Sequence, residues 1–135
     1  MRYLLDTPVL VETIRMDWSE PVIDWLKRNG AAGFATTALV MAEIYDAAGA
    51  MPQSQGRNYM TSWARSLSSG LAILAFDDAA ARAFGRLRHI KALSGLSLAD
   101  VQTCAVAQAH DLVLATRDAT RFAGWIGVTE DPWRG

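Results

Sequence analysis

Short apolar runs alternate along this chain with longer stretches in which apolar residues recur every three or four positions. Arg2 to Leu5 is the first run; Asp6-Thr7-Pro8 stops it, which predicts a buried strand with Asp6 at its carboxyl end. Ser19-Glu20-Pro21 carries an N-cap, an acid and an early proline, and Gly30 follows Lys27-Arg28-Asn29, so a helix is predicted over 20–29. Gly33 to Ala35 reads as a second short strand. Thr36-Thr37 then caps an alanine- and leucine-rich helix reaching Ala48, with Glu43 in its middle. Gly49 to Gly56, with its Gly, Pro, Ser and Gln residues, predicts a loop before a helix from Arg57 to Leu67. Leu71 to Phe76 is a third apolar run, and Asp77-Asp78 caps a helix predicted to reach Leu93, broken by Ser94-Gly95-Leu96. Ser97 caps a helix from Leu98 to His110, and Leu112 to Thr116 forms a fourth strand ending at Arg117-Asp118.

Strands separated by helices favour an α/β fold with a mostly parallel sheet covered on both faces. The 135 residues suit one domain spanning 1–135, and 51% hydrophobic residues supply a core. No repeat or low-complexity segment interrupts that reading. Met1 to Leu5 is too short for a secretory segment or a membrane span, so a cytoplasmic protein without a membrane association is expected. The single cysteine, Cys104, lies in an apolar stretch and reads as a small buried hydrophobe. A net charge of -1 excludes a protein that coats nucleic acid by charge alone, so any such contact has to be local.

The candidate chemistry lies in the acids. In open parallel sheets ligands bind at the carboxyl ends of the strands. Asp6 directly follows strand one, Asp118 follows strand four by two residues, and Asp100 stands in the first turn of the helix leading to strand four. Glu43 is a lone acid among Val40, Met41, Ala42, Ile44 and Tyr45. Each acid alone has a plain structural use as a turn residue, a helix cap or a dipole partner. Together, carboxylates without His or Cys partners point to Mg²⁺ or Mn²⁺ rather than zinc, and such ions serve hydrolysis of phosphodiesters.

Several short motifs add to this. Tyr3-Leu4-Leu5-Asp6-Thr7-Pro8-Val9-Leu10, Thr37 followed six residues on by Glu43, Ser97-Leu98-Ala99-Asp100 before an alanine-rich helix, Leu114-Ala115-Thr116-Arg117-Asp118 with Phe122, and Asp131-Pro132-Trp133 stand in sequence order. As a set they resemble the motifs of PIN domains, in particular the toxin ribonucleases of the VapC type. The resemblance implies a three-layer α/β/α fold with a central, mostly parallel sheet, and metal-dependent endonucleolytic cleavage of RNA leaving a 5′-phosphate and a 3′-hydroxyl. It implies Asp6 and Asp100 as direct ligands of Mg²⁺ (or Mn²⁺), Glu43 as a ligand or water-orienting base, and Asp118 as a ligand of a second ion or through water. It also implies a homodimer and a cognate antitoxin as partner. Pro8 replaces the asparagine usual after Asp-Thr, removing an amide and a backbone donor. Arg121 stands where the family often has an acid. Those departures support an alternative: an inactive PIN-like module that binds RNA or a protein without cutting. A receiver-like phosphoryl-transfer domain fits less well, because no DxD pair follows strand one.

Substrate contacts are expected from Thr7, Thr37 and Thr116 and from the helix after Asp78. There Arg82, Arg86 and His89 share one face, opposite Ala80, Ala83, Phe84, Leu87 and Ile90. A solvated basic face and a phosphate-binding one are both open readings. Trp25, beside Val22 and Leu26, reads as core; Trp18, Trp63, Trp125 and Trp133 carry no single assignment, and His110 reads as a helix C-terminal residue.

Overall fold

The computed structural model describes residues 1–135. Five short strands form one sheet: β1 (Tyr3–Leu5), β2 (Phe34–Thr37), β3 (Ala72–Leu74), β4 (Val113–Ala115) and β5 (Thr129–Glu130). Their order across the sheet is β3-β2-β1-β4-β5, and all four pairings are parallel. Six helices connect them: α1 (Thr7–Glu12), α2 (Glu20–Asn29), α3 (Ala38–Ala50), α4 (Gln55–Gly70), α5 (Asp78–Leu87) and α6 (Leu98–Ala109). None is long and apolar enough to cross a membrane.

Strand alternation creates the layers. Leu4, Ala35 and Leu114 point to one face, where they join Ala80, Ala83 and Leu87 of α5 and Val101, Ala105 and Val106 of α6. Tyr3, Leu5 and Ala115 point to the other, against Val9 and Leu10 of α1, Val22 and Trp25 of α2 and Val40, Met41 and Ile44 of α3. The sheet therefore lies between two helical layers, the three-layer α/β/α arrangement that the resemblance implies. Tyr3, Trp25 and Phe34 cluster on the second face: Trp25 and Phe34 stack with centroids 5.8 Å apart, and Tyr3 meets Trp25 edge-on at 4.9 Å. That cluster anchors α2 to the first two strands.

The chain winds outward from β1 to β3, then returns to lay β4 on the opposite side of β1. This reversal puts a topological switch point between β1 and β4, where diverging connections open a crevice at the strands' carboxyl ends. Asp6 and Thr116 flank it.

Helices α2, α3 and α6 start where the caps predict, with Thr37 accepting from Val40 N–H and Ser97 from Asp100 N–H. The structure adds α1, which the predicted turn at Asp6-Thr7-Pro8 concealed. Asp6 is its N-cap and Pro8 sits in its first turn, where a missing N–H costs nothing. The predicted 49–56 loop contracts to a few residues between α3 and α4, whose helices overrun both of its ends. Helix α5 stops at Leu87 rather than Leu93; the chain tightens into a 3₁₀ turn over Lys91–Leu93, whose Leu93 still enters the core and so prolongs the apolar pattern.

Candidate active site

A cleft of about 420 Å³ opens at the switch point, lined by Asp6, Thr7, Pro8, Glu12, Arg15, Glu43, Ser97, Asp100, Thr103, Arg117, Arg121 and Trp133 among others. Asp6 forms its floor. It is only 9% exposed, and both of its oxygens are already engaged: Thr7 N–H donates to Oδ1 and Thr116 Oγ1 donates to Oδ2, each at 2.8 Å. Thr116 is fully buried, so no water can replace its hydroxyl. Helix α1 aims the first donor and the end of β4 aims the second, fixing the carboxylate where two elements converge.

Glu43 reaches the same cleft from α3, its Oε2 accepting from Thr7 Oγ1 at 2.8 Å. Thr7 thus touches two acids, through its backbone to Asp6 and through its side chain to Glu43. Asp100 enters from the first turn of α6, and Arg121 Nη1 donates to its Oδ2 at 2.8 Å. Glu12 is buried at one side, accepting from Ser19 N–H and from Arg15, and so ties α1 to the chain entering α2.

Burial raises the pKa of Asp6 above the usual carboxylate value; the Thr116 and Thr7 hydrogen bonds pull it down, and the charges of Asp100 and Glu43 push it up again. The three carboxylates therefore feel one another. Below them, burial and the charges of Asp100 and Asp6 push the Cys104 thiol up to about 12, holding it protonated and unreactive. Negative charge concentrated on oxygen ligands, with no histidine and no free thiolate, suits a hard divalent cation. No three acidic, histidine or cysteine side chains close on one point as a preformed cage would. The donor set fits an ion held by one or two carboxylates with water completing its shell, as Mg²⁺ usually is.

The PIN domain family pattern matches residues 3–123, from the first residue of β1 to just beyond Phe122. The chain belongs to the PIN domain family. Among curated relatives, Toxin FitB of Neisseria gonorrhoeae (strain ATCC 700825 / FA 1090) is 27% identical over 136 residues, covering 96% of this chain and 97% of that protein. The crystal structure of FitAcB from the same species superimposes with a TM-score of 0.89 at 26% identity, covering 98% of this chain and 99% of that one. A DNA-bound VapBC structure from Salmonella typhimurium has a TM-score of 0.81 at 21% identity over 98% of each chain, and shares the fold.

Of the residues singled out in the sequence, this PIN domain brings Asp6, Glu43, Asp100 and Thr7 into the cleft, with Thr116 directly behind Asp6. Four positions differ from expectation. Asp118 is exposed and does not line the cleft; it adopts a left-handed conformation, φ 54°, and its N–H donates to Asp131 Oδ2, which fixes the turn leading away from the site. Thr37 is buried and its hydroxyl is spent capping α3. Arg82 and Arg86 are exposed on α5 outside the cleft, because Ala80, Ala83 and Leu87 press the opposite face onto the core; Arg82 pairs with Asp78 at 2.9 Å. The basic groups at the site are instead Arg15, Arg117 and Arg121. Arg117 lies over the Trp133 ring at 5.1 Å, so the C-terminal Asp131-Pro132-Trp133 turn forms one wall. A basic residue directly after strand four was the available signal for Arg117; nothing local marks Arg15.

Proposed function

We propose that this protein is a divalent-metal-dependent endoribonuclease and the toxin component of a toxin–antitoxin pair. The observation that carries the reading is Asp6: a buried carboxylate at the switch point of a parallel sheet, oriented by two donors and crowded by Asp100 and Glu43. Asp6 and Asp100 would hold Mg²⁺ or Mn²⁺. A bound ion would offset the charge that builds up on a phosphodiester under in-line attack. Glu43, exposed and held only by Thr7, is suited to orient or deprotonate the attacking water. Asp118 receives no ligand role, since it stands outside the cleft. Arg117, stiffened by Trp133, is positioned to meet a backbone phosphate.

Support for the toxin assignment comes from relatives: FitB is named a toxin, and neighbouring structures include FitAB and VapBC complexes and, at 24% identity, a structure described as a toxin–antitoxin complex from Klebsiella pneumoniae. An antitoxin partner follows by the same reasoning, and the homodimer rests on the resemblance alone. The test is incubation of purified protein with single-stranded and structured RNAs in Mg²⁺, Mn²⁺ or EDTA, beside an Asp6→Ala control. Metal-dependent cutting lost in the control is expected. A folded protein that cuts none of them would leave the second reading, a binding module without turnover, which the Arg121 cation on Asp100 favours.

A further inference from the structure

Arg121 is not a bystander at the surface. Its guanidinium bonds Asp100 Oδ2 at 2.8 Å, and its carbon lies 4.9 Å from the centroid of the buried Phe122 ring, so a carboxylate and an aromatic face hold it in place. The backbone assists, because Arg121 N–H donates to Asp118 C=O at 3.1 Å and sets the 3₁₀ turn over Ala119–Phe122 that carries the side chain. The other two cleft arginines are occupied elsewhere: Arg15 by Glu12 and Asp17, Arg117 over Trp133. Asp6 and Glu43 meet only hydroxyl and amide donors. Arg121 is thus the one formal cation seated on the carboxylates of Asp6, Glu43 and Asp100.

We propose that Arg121 is a tethered competitor for the divalent ion at Asp100: its guanidinium holds Oδ2, so an ion binding there must displace it or tolerate its charge, and this residue raises the metal concentration the site requires. The inference rests on the metal-site reading above. A guanidinium and a metal ion both seek the lone pairs of a carboxylate, and a positive charge left beside a bound divalent ion repels it. The Asp100 side chain is 19% exposed and that of Arg121 44%, so their pairing is partly screened. A pairing of that kind, together with the residual repulsion, corresponds to metal affinity weakened by about three- to tenfold. Arg121 is accordingly a positioning residue acting through Asp100, with no contact to reacting atoms required.

The experiment is calorimetric titration of Mn²⁺ into the metal-free full-length protein, its Arg121→Gln, Arg121→Lys and Arg121→Glu variants, and Asp6→Asn, each checked for native circular dichroism. Arg121→Gln should bind Mn²⁺ about three- to tenfold more tightly, Arg121→Glu at least as tightly as Arg121→Gln, and Arg121→Lys within about twofold of the parent, because lysine keeps a competing charge. Asp6→Asn should lose binding. Unchanged or weaker Mn²⁺ affinity in both Arg121→Gln and Arg121→Glu, with binding still abolished by Asp6→Asn, would overturn the competitor role and leave the metal site standing. Absence of Mn²⁺ binding in every folded protein would overturn both.

Discussion

Replacing Thr116 with valine removes one hydroxyl and almost no volume from the most enclosed part of the site. Thr116 is fully buried and its hydroxyl donates to Asp6 Oδ2 at 2.8 Å, so the variant leaves half of a buried carboxylate without a partner and without room for water. A hydrogen bond to a charged group contributes about 1.5 to 3 kcal/mol. Given the usual unfolding entropy per residue, that loss lowers the melting temperature of a 135-residue chain by about 5 to 10 °C. The deficit should also depend on pH. Burial already raises the Asp6 pKa and the Thr116 bond opposes that rise, so the variant raises it further. A carboxyl whose folded pKa lies above its unfolded one contributes stability that is present at low pH and lost as pH rises through the folded value. Urea unfolding of the metal-free variant and parent should therefore differ little at about pH 4 and most at about pH 8. Thr116→Ser, which keeps the hydroxyl, should cost about 1 kcal/mol at both pH values through its lost methyl group. A Thr116→Val deficit below about 0.5 kcal/mol, or one equal at both pH values, would refute the claim that this hydroxyl stabilises ionised Asp6.

Three further outcomes follow from the same geometry. Asp6→Asn removes a charge that burial, Asp100 and Glu43 all disfavour, so the metal-free variant should unfold within about 1 kcal/mol of the parent near neutral pH, yet gain no stability from Mn²⁺; denaturation with and without the ion checks both. Cys104, fully buried with its pKa pushed up to about 12, should resist a thiol reagent in the native protein at pH 8 and react at once in denaturant; rapid native labelling would contradict its placement. Thr37→Ala should destabilise the domain by about 1 kcal/mol through loss of the α3 cap without changing Mn²⁺ affinity, and a matching loss of affinity would mean that Thr37 serves the site after all.

The fold was legible because its strands and caps carry local signals. Runs such as Leu112 to Thr116 and caps such as Thr37 and Ser97 declare themselves within a few residues. Helix α1 was hidden because Asp6-Thr7-Pro8 serves equally well as a turn or as a helix start; only the packing of Val9 and Leu10 against the sheet decides between them. Strand β5, two residues long, exists through its pairing with Leu114 and Ala115 and has no periodicity of its own. The acids Asp6, Glu43 and Asp100 could be sorted by their place relative to strand ends. Asp118 met the same rule but leaves the cleft, because its conformation depends on Asp131, thirteen residues further on. The basic stripe on α5 was visible in the helical pattern, whereas the arginines that reach the cleft come from two connections far apart in the chain, Arg15 between α1 and α2 and Arg117 and Arg121 between β4 and β5. Arg121 meets Asp100 across 21 positions, a separation no local pattern reports.

The central claim is that the cleft between β1 and β4 is where this PIN domain holds its divalent ion. Its most direct test is Mn²⁺ added at a small fraction of the protein concentration while backbone amide resonances are recorded, since a bound paramagnetic ion broadens only its neighbours. The account predicts that Asp6, Thr7, Asp100 and Thr116 broaden first, that Gln108 and Gly127 at the other cleft of the molecule do not, and that Asp6→Asn abolishes the effect. Broadening centred on Asp77 and Asp78, or spread evenly over the acidic surface, would contradict it.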